Sequence, residues 1–446
     1  MSMIKVGMGI SEKEDLLEAV KEAAKQAREK IKTDKPKLLL VYHTFNYAPN
    51  QGDEAQAAAR SFFSKETPVI GGQFLGIFVE NICRDAYGSG GKQRGVGVLA
   101  LDSEYFNIGL GLGLEADKNP EKAGADSVKM ALDNLSYNPS VAYTAMMSRG
   151  VKDVASIRPL NGIIITPGLI NDIGGGHRTF LDNRIADGIS SVAKRSIRVL
   201  GGGVCGGLQP VSPVETMGDM YLNGKTYKKS VITCLFGSDL DIGYGVGTGF
   251  SGTGIGFFIT KSNGFTVEEL NGQPAFSVLA EEMKKYGVEL QVGVPLYYSM
   301  ALQGYTLALP EIGADFYWPI PPLISSDGKS VIFEFPLNSG TPLSLVKISK
   351  DSCLKAIEDS TKILLEDAGT SDLGFVYHVS CGLRGITLGP DYNKEAERIK
   401  NIVGEKVPVF GIASTGEMSF YKTGRIMGAA YTFGICGISN KLFSER

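Results

Sequence analysis

The chain has 446 residues, of which 43% are hydrophobic and 21% are charged, and its formal net charge is -3. This length allows two or three domains with substantial cores, and the composition is typical of a soluble globular protein. Because the chain as a whole is slightly acidic, we expect neither nucleic acid nor an anionic membrane surface among its partners.

Cysteine usage and the N-terminal sequence point to a reducing compartment. No C-x-x-C pair occurs, which argues against a zinc site of the usual spacing and against a redox dithiol. The start, MSMIKVGMGISEKED, lacks an apolar signal core, and the two longest charge-free stretches contain the glycines or prolines typical of buried sheet. We therefore expect a cytoplasmic protein without membrane insertion. The six cysteines are Cys83, Cys205, Cys234, Cys353, Cys381 and Cys436.

The first elements are a strand over residues 4–8 and a helix with apolar residues at helical spacing from Leu16 to Ile31. Ser11 is a candidate N-cap of this helix, because Glu14 three residues later would complete a capping box. The run KLLLVYHTF then predicts a strand that is buried on both faces.

A supersecondary unit recurs three times along the chain. Each copy begins with a buried strand, LLLVYHT, GIIITPG or LGFVYHVSC, and continues through a helix to a glycine-containing strand, PVIGGQ, VLGGGV or PVFGIAS, and a further strand. Strands that alternate with helices predict α/β layers with crossover connections. The sequence therefore predicts an α/β protein of repeated strand-helix-strand-strand units in mixed sheets.

Between the second and third copies, Asn-Gly pairs at 263–264 and 271–272 mark tight turns, which predict hairpins before a helix near 275–285. We place a domain boundary here and predict two domains, residues 1–265 and 266–446. The alternating glycines of GLGLG at 109–113 and of the stretch from Gly243 lack the features of phosphate-binding loops. We interpret them as strands that pack closely against their neighbours.

The strand-and-turn stretch PVFGIASTGE, residues 408–417, differs from its two copies. It ends in Glu417, whereas the other copies have no carboxylate at the corresponding points, which we place at Ile77 and Gly207. Ligands of open α/β sheets bind where strands end and loops diverge. Ser414, Thr415 and Glu417 are therefore candidate ligand-binding residues, and the alternative is a turn whose glutamate caps the next segment or pairs with an arginine.

These stretches, in this order, resemble the FIST family of paired N- and C-terminal sensory domains. The resemblance rests on LLLVYHTF, PVIGG, GVGVLALDSEYFNIGLG, NGIIITPGL, VLGGGVCGG, FVYHVSCGLRG and PVFGIASTGE, and it covers nearly the whole chain. It implies a sensor of small molecules such as amino acids, and some relatives bind haem and respond to nitric oxide. Output modules usually accompany such domains, so the resemblance also implies a separate signalling output protein as partner.

Histidines and a glycine-rich loop supply further candidates. His43, followed by Thr44, and His378 have the same place in the sequence motifs VYHT and VYHV, and we expect them either to face one pocket or to be core histidines bonded to backbone. In NDIGGGHRTF, the glycines 174–176 precede a helix, where free amides attract anions, and His177 and Arg178 would add positive charge. The alternative is a loop that only connects a strand to the helix.

Three residues at and just after the end of the third copy's first strand complete the candidate set. Ser380 and Cys381 end that strand, and Arg384 follows with a guanidinium suited to a carboxylate. Cys381 is either a nucleophile or a residue that only lines a pocket; His378 lies three positions before it and should point to the opposite face.

From these residues we predict a small-molecule ligand-binding protein without turnover, whose ligand is amino-acid-like or a carboxylate. The sequence shows no convincing arrangement of nucleophile, base and orienting group, and we predict no cofactor and no metal. Two alternatives stay open: a haem-binding gas sensor that uses His43, His177 or His378, and a hydrolase that uses Cys381 with Glu417.

Overall fold

The computed structural model describes residues 2–48, 50–85, 88, 93–136, 160–171, 178–193, 197–206, 218–311, 316–333, 336–421 and 426–442. In this part of the chain, three units share one order of elements: strand, helix, strand, helix and then four strands. The predicted α/β fold with repeated units in mixed sheets is confirmed. Each unit has a further strand and helix before the predicted motif and a two-stranded hairpin between the last two strands of the motif.

The first unit contains β1 (Lys5–Ser11), α1 (Leu16–Ile31), β2 (Leu38–Thr44), α2 (Gly52–Arg60), β3 (Val69–Phe74), β4 (Gly76–Val79), β5 (Ile82–Asp85) and β6 (Val96–Asp102). The second unit contains β7 (Phe106–Gly113), α3 (Pro120–Asp133), β8 (Leu160–Thr166), β9 (Leu169–Asn171), β10 (Arg178–Phe180), α4 (Asp182–Ala193), β11 (Ile197–Gly203), β12 (Met220–Leu222), β13 (Lys225–Tyr227) and β14 (Val231–Ser238).

The third unit begins with β15 (Leu240–Gly247) and is then interrupted by an insertion. The insertion contains β16 (Ser251–Asn263), β17 (Thr266–Leu270), β18 (Gln273–Pro274), α5 (Ala275–Lys284), α6 (Leu296–Ala301), β19 (Tyr305–Pro310), β20 (Tyr317–Pro319), β21 (Pro322–Ile324), β22 (Val331–Phe333) and β23 (Pro342–Lys347). The third unit then continues with α7 (Lys350–Ala368), β24 (Leu373–Cys381), α8 (Gly382–Leu388), a 3-10 helix (Gly389–Asn393), α9 (Lys394–Val403), β25 (Val409–Ser414), β26 (Glu417–Phe420), β27 (Ile426–Ala429) and β28 (Phe433–Leu442).

The three units exchange strands in a cycle. Each unit contributes four strands to its own six-stranded sheet and sends a hairpin to the sheet of another unit. The resulting orders are β1-β6-β2-β3-β12-β13, β27-β26-β11-β8-β14-β7 and β15-β28-β24-β25-β4-β5. In every sheet the central pair is parallel and is flanked by antiparallel strands. Each unit is therefore completed by another one, so none of the three sheets belongs to one unit alone.

One central core lies between the three sheets. It contains side chains from the strands of every unit, including Tyr42, Ile165 and Tyr377. We call the sheet face toward this core the inner face. The helices cover the outer faces, where three separate clusters bury the apolar sides of α1 and α2, of α3 and α4, and of α7 and α9. This arrangement leaves both faces of the central strands covered, as their continuous apolar sequences require.

Close helix-strand packing explains two features of the sequence. A Cβ atom at Gly109 or Gly111 would collide with the backbone of α3, and one at Gly243 or Gly245 with that of α7. The interpretation of these alternating glycines as close-packing positions is thus confirmed. The predicted cap of α1 was wrong: Asp15 accepts the hydrogen bond from the Glu18 N–H, while Ser11 is the last residue of β1.

The insertion forms its own eight-stranded sheet with its own apolar core. The predicted boundary at 265/266 falls between β16 and β17, in a turn of this sheet. It stays a prediction as a division between two domains. Along the described part of the chain, no helix combines the length and the apolar character that are needed to span a membrane.

Candidate ligand-binding site

The stretch that follows β25 is a corner that joins the third unit to the second. The chain leaves β25 at Ser414, turns through Thr415 and Gly416, and enters β26, which pairs with β11. The Thr415 N–H donates to the Gly203 carbonyl at 3.2 Å, and the Gly203 N–H donates to the Gly416 carbonyl at 2.9 Å. The turn is therefore tied to the end of β11.

The inner face of this corner is polar. Ser414, Glu417 and Ser419, which we call the polar corner, are each at most 2% exposed. The Ser414 hydroxyl donates to Glu417 Oε1 at 2.8 Å, and the Thr432 hydroxyl donates to Oε2 at 3.3 Å. The thiol of Cys381, at the end of β24, is also hydrogen-bonded to the Glu417 carboxyl group. Glu417 is thus surrounded by donors but is withdrawn from water.

Burial controls the ionisation of this group. Burial raises the pKa of Glu417 most, the negative charge of Asp182 raises it as well, and the bonds from Ser414, Cys381 and Thr432 lower it, so that the pKa is about 8. Glu417 is therefore mostly a neutral carboxylic acid at pH 7, which can donate a hydrogen bond as well as accept one. Burial and the nearby Glu417 raise the pKa of the Cys381 thiol well above its usual value, although the N–H groups of Leu383 and Tyr431 oppose this.

Strand register identifies the counterparts of Glu417 in the other units. Glu417 lies opposite Gly202, as Ile77 lies opposite Ile412 and Met220 opposite Gly72. Gly202, Ile412 and Gly72 have equivalent places in the three sheets. Each one pairs with a residue of the neighbouring parallel strand, and that residue in turn pairs with the second residue of the unit's last strand. These pairs are Gly72 with Tyr42 and Gly97, Gly202 with Ile165 and Ile232, and Ile412 with Val379 and Gly434.

Both counterparts of Glu417 are apolar and belong to the central core. Ile77 is thus the position that the sequence indicated. The second counterpart is Met220, not Gly207 as predicted, and Gly207 lies outside the described residues. Ser414 also has apolar counterparts. They are Phe74 in the first unit and Val204 in the second, which lie two residues after Gly72 and Gly202 as Ser414 lies two residues after Ile412. A polar cluster has thus replaced an apolar one in only one of three equivalent places.

Ser380 and Arg384 lie behind this corner. Because side chains alternate along a strand, Ser380 faces the outer side of β24 while Cys381 faces the inner side. Arg384 is fully buried: its Nε donates to Glu395 Oε1 at 2.9 Å, and its two Nη atoms donate to the carbonyls of Cys353 and Thr248 at 2.9 and 3.3 Å. The structure does not bring Arg384 to Glu417, and its assignment to ligand binding, like that of Ser380, stays a prediction.

The structure does not place His43 and His378 at equivalent positions. The N–H groups of Leu39 and Val376 donate to the carbonyls of Pro68 and Pro408, which equates these two residues and offsets the VYH motifs by two positions. His43 therefore corresponds to Ser380. Sequence similarity was misleading because the motif is shared but its register is not. The tyrosine of each motif, in contrast, points into the central core, where the hydroxyls of Tyr42 and Tyr377 are 3.2 Å apart.

Neither described histidine is accessible to a haem, because both side chains are buried. The Nδ1–H of His43 donates to the Thr44 carbonyl at 2.8 Å, and its Nε2 accepts from the Tyr221 hydroxyl at 2.5 Å. His378 is fully buried between the rings of Phe78 and Phe433, and burial lowers its pKa to about 3. These two residues do not fit the haem alternative. Among the described residues, no group of three or more His, Cys, Asp or Glu side chains is placed to bind a metal.

The predicted anion loop falls mainly outside the described part of the chain. Gly174, Gly175, Gly176 and His177 are not described, and for Arg178 only the backbone is, which pairs with Asn171. The helix that follows, α4, begins at Asp182 and thus carries an acid in its first turn. That acid already provides the negative charge that the helix N-terminus favours. The proposed contact of this loop with an anion stays a prediction.

The sequence missed three residues near the site. Ser419 follows Glu417 by two positions, so strand alternation alone would have placed it on the same face. Thr432 and Asp182 gave no such signal, because their proximity depends on strand pairing between units. Two surface grooves, of about 470 and 530 Å³, lie near the first residues of β24 and β2, at the opposite ends of these strands from Cys381 and Thr44.

Two family models together match most of the chain. The model of the FIST N domain matches residues 7–273, and that of the FIST C domain matches residues 275–419. No curated protein matches the chain. Among solved structures, a crystal structure of cyanuric acid hydrolase from A. caulinodans matches with a TM-score of 0.36 and 9% sequence identity, over 98% of this chain and 100% of that one.

Proposed function

Because the chain belongs to the FIST family, we propose that it is a sensory protein that binds a small amino-acid-like or carboxylate ligand at the polar corner without turning it over. FIST domains are in general ligand-binding sensory domains. The further steps concern the position of the ligand and its chemistry.

The observation that carries this proposal is the replacement of core by polar side chains at one of three equivalent places. Ile77 and Met220 serve the central core, and an apolar residue in place of Glu417 would serve it equally well. Burying a carboxyl group costs free energy that an apolar side chain does not. Residues that contradict their local environment in this way are typical of functional sites.

The chemistry of the corner suits a carboxylate or carbonyl group. A neutral Glu417 donates one hydrogen bond, and the hydroxyls of Ser414 and Thr432 turn from Glu417 to the ligand. A neutral acid does not repel an anionic ligand, whereas an ionised Glu417 would. Affinity for a carboxylate should thus fall as the pH rises through about 8.

Isothermal titration calorimetry of the full chain with a panel of amino acids and simple carboxylic acids, at pH 7 and pH 9, tests this proposal. We expect binding by at least one member that weakens at pH 9. Glu417→Gln should keep binding and lose this pH dependence, because an amide donates without titrating. Glu417→Ala should lose binding about tenfold or more. Ser230→Ala is the matched control, since Ser230 is the second unit's counterpart of Thr432. A panel without any binding, or equal binding by Glu417→Ala, would refute the proposal.

A thiol-based hydrolase is the second candidate, and the bond between Cys381 and Glu417 favours it. In its ionised form, which is the minor form at pH 7, Glu417 would take the thiol proton, and the N–H groups of Leu383 and Tyr431 donate to the sulfur. The raised pKa and 2% exposure of Cys381 oppose it. Iodoacetamide labelling followed by mass spectrometry separates the two candidates. Selective labelling of Cys381 that Glu417→Gln abolishes would favour the hydrolase, and labelling no faster than at the other five cysteines would exclude it.

We also propose a cytoplasmic location and a separate output protein that reads the liganded state. These follow from the composition and from the domains that usually accompany the family. Affinity purification of the chain with and without its identified ligand would test the second point, since an output partner should be retained in only one of the two states.

A further inference from the structure

The second and third units each place an acid at the start of the helix that precedes their glycine-containing strand. In the second unit this is Asp182 of α4, whose Oδ1 accepts from the Thr166 hydroxyl at 2.6 Å. In the third unit it is Glu395 of α9, whose pKa is raised by burial, although the Ser380 hydroxyl lowers it. Thr166 and Ser380 are equivalent, because each follows the residue that lies opposite the second residue of its unit's last strand.

A second contact supports this correspondence. Asp182 packs against Gly428, and the charge of Glu395 acts on Cys83. Gly428 pairs with Met418, the residue after Glu417, and Cys83 pairs with Phe78, the residue after Ile77. The two acids therefore occupy equivalent places on the outer faces of two different sheets. Each lies between the end of its unit's second strand and the hairpin that another unit adds to the sheet.

The two acids differ in how their charge is balanced. Glu395 forms a fully buried ion pair with Arg384, whose guanidinium also donates to two backbone carbonyls. Asp182 is 2% exposed, and its Oδ2, like the Oε2 of Glu395, has no hydrogen-bond partner among the described residues. Within the same part of the chain it makes no ion pair. Burial raises the pKa of Asp182 to about 6, so the carboxylate is nevertheless the main form at pH 7.

We propose that Asp182 is the anchor of a second binding site, which takes the guanidinium or primary ammonium group of a small cationic ligand. The third unit shows the chemistry that fits such a position, because Arg384 supplies a guanidinium to the equivalent acid from within the chain. A buried carboxylate with an open lone-pair position gains most from a charge-assisted hydrogen bond. In the second unit a ligand supplies that bond.

This site differs from the polar corner. Asp182 and Thr166 lie on the outer side of the second unit's sheet, whereas Glu417 lies on its inner side, opposite Gly202. Thr166 on β8 donates to Asp182 and Gly428 on β27 packs against it, while Asn183 accepts from the Gly428 N–H. Glu417 is the acid through which Asp182 is coupled to the inner face. A cation at Asp182 would offset the repulsion between the two acids and so lower the pKa of Glu417.

Calorimetry and thermal unfolding of the full chain with methylguanidine, agmatine and putrescine test the proposal, with urea and acetamide as neutral controls. We expect saturable binding of at least one cation and none of the neutral compounds. Asp182→Asn should weaken that binding at least tenfold, and Asp187→Asn, an exposed position of the same helix, should leave it unchanged. Affinity should fall about tenfold per pH unit below pH 6, where Asp182 becomes protonated.

Three results would overturn the proposal: no cation binds, neutral compounds bind equally well, or Asp182→Asn leaves the affinity unchanged. Circular dichroism must show that Asp182→Asn is folded; if it is not, Thr166→Val, which removes only the bond to Oδ1, replaces it and should change cation affinity at least threefold. Because carboxylates probe the polar corner and cations probe Asp182, either site can fail while the other remains.

Discussion

The corner after β25 and the corner after β3 join equivalent strands, yet one is polar on its inner face and the other is part of the core. Ser414 and Glu417 stand where the first unit has Phe74 and Ile77. Since the fold is achieved with either kind of side chain, the architecture does not require the polar version. The third-unit corner is therefore the place where the proposed function can be separated from the requirements of the fold.

The same comparison applies to the outer faces. The third unit balances its buried acid internally with Arg384, while the second unit leaves Asp182 without a cation among the described residues. At both places one unit has side chains that satisfy the fold by themselves, and another unit has a buried acid that is not balanced in this way. Pseudo-equivalent positions in one chain thus act as internal controls, and substitutions that exchange their properties test which departures matter.

The largest effect on stability is expected when the buried ion pair between Arg384 and Glu395 is broken. Arg384→Met should reduce the free energy of unfolding by about 3–5 kcal/mol, because it leaves Glu395 buried without its cation. Arg398→Met is the matched control: its guanidinium pairs with Glu358 at the surface, and we expect a loss of at most about 1 kcal/mol. Urea unfolding of both variants measures the difference. Equal losses would mean that the buried pair has no special weight in the third unit.

The second effect is the pH dependence that Glu417 imposes on stability. Its pKa rises from 4.5 in the unfolded chain to about 8 in the fold, so folding favours the neutral form. Stability is therefore highest below pH 4.5 and falls as the pH rises toward 8, by up to about 4 kcal/mol from this group. Asp182, with a pKa of about 6, adds to the fall below pH 6.

Urea midpoints measured at pH 5, 6, 7 and 8 check this expectation. The wild-type midpoint should decrease across the series, and Glu417→Gln should remove most of the slope above pH 6, where Asp182 no longer contributes. Asp182→Asn is the complementary control, since it should flatten only the lower half. An unchanged slope in Glu417→Gln would show that the carboxyl group is not buried as a neutral acid.

Much of this architecture could be predicted from local sequence patterns. Buried strands, a crossover helix and a glycine-containing turn are encoded within each unit, and even the counterpart of Glu417 at Ile77 followed from them. The exchange of hairpins could not be predicted, because pairing between β26 and β11 depends on residues more than 200 positions apart. Met220 was missed because the second unit reaches the equivalent position only after a longer connection than the other two units, so its place cannot be counted from the glycine-containing strand.

The same limit applies to the candidate site. A carboxylate at a strand end is visible in the sequence, but its burial and therefore its pKa depend on the other units. Arg384 illustrates the reverse: its sequence position suggested an accessible guanidinium, and tertiary packing places it in a buried ion pair. The positions of Ser380, Arg384 and the histidines relative to a ligand remain predictions.

The two VYH motifs provide a third test of equivalence. His43→Phe should lower the free energy of unfolding by about 1–3 kcal/mol, because it leaves the Tyr221 hydroxyl and the Thr44 carbonyl without their partner. His378→Phe should change it by less than about 1 kcal/mol, since neither ring nitrogen has a hydrogen-bond partner among the described residues. Thermal and urea unfolding compare the pair. A larger loss for His378→Phe would indicate a contact of this ring that matters for folding.

The smallest effect separates the residues within the polar corner. The Ser419 hydroxyl is buried and has no hydrogen-bond partner in the described part of the chain, whereas that of Ser414 donates to Glu417. Removing an unsatisfied buried hydroxyl relieves a desolvation cost, so Ser419→Ala should raise the free energy of unfolding by about 1 kcal/mol. Ser414→Ala should lower it by a similar amount. Differential scanning calorimetry at pH 7 resolves this reversal of sign.

If the polar corner is a binding site, the variant that is more stable without ligand should be the weaker binder of the ligand. An unpaired hydroxyl at Ser419 is a donor held for a ligand, since the first unit fills this place with Val79, a core residue. Ser419→Ala should then bind the carboxylate found by calorimetry about threefold to tenfold more weakly while being the more stable protein. A variant that is both more stable and equally tight would show that Ser419 is a packing fault and not part of the site.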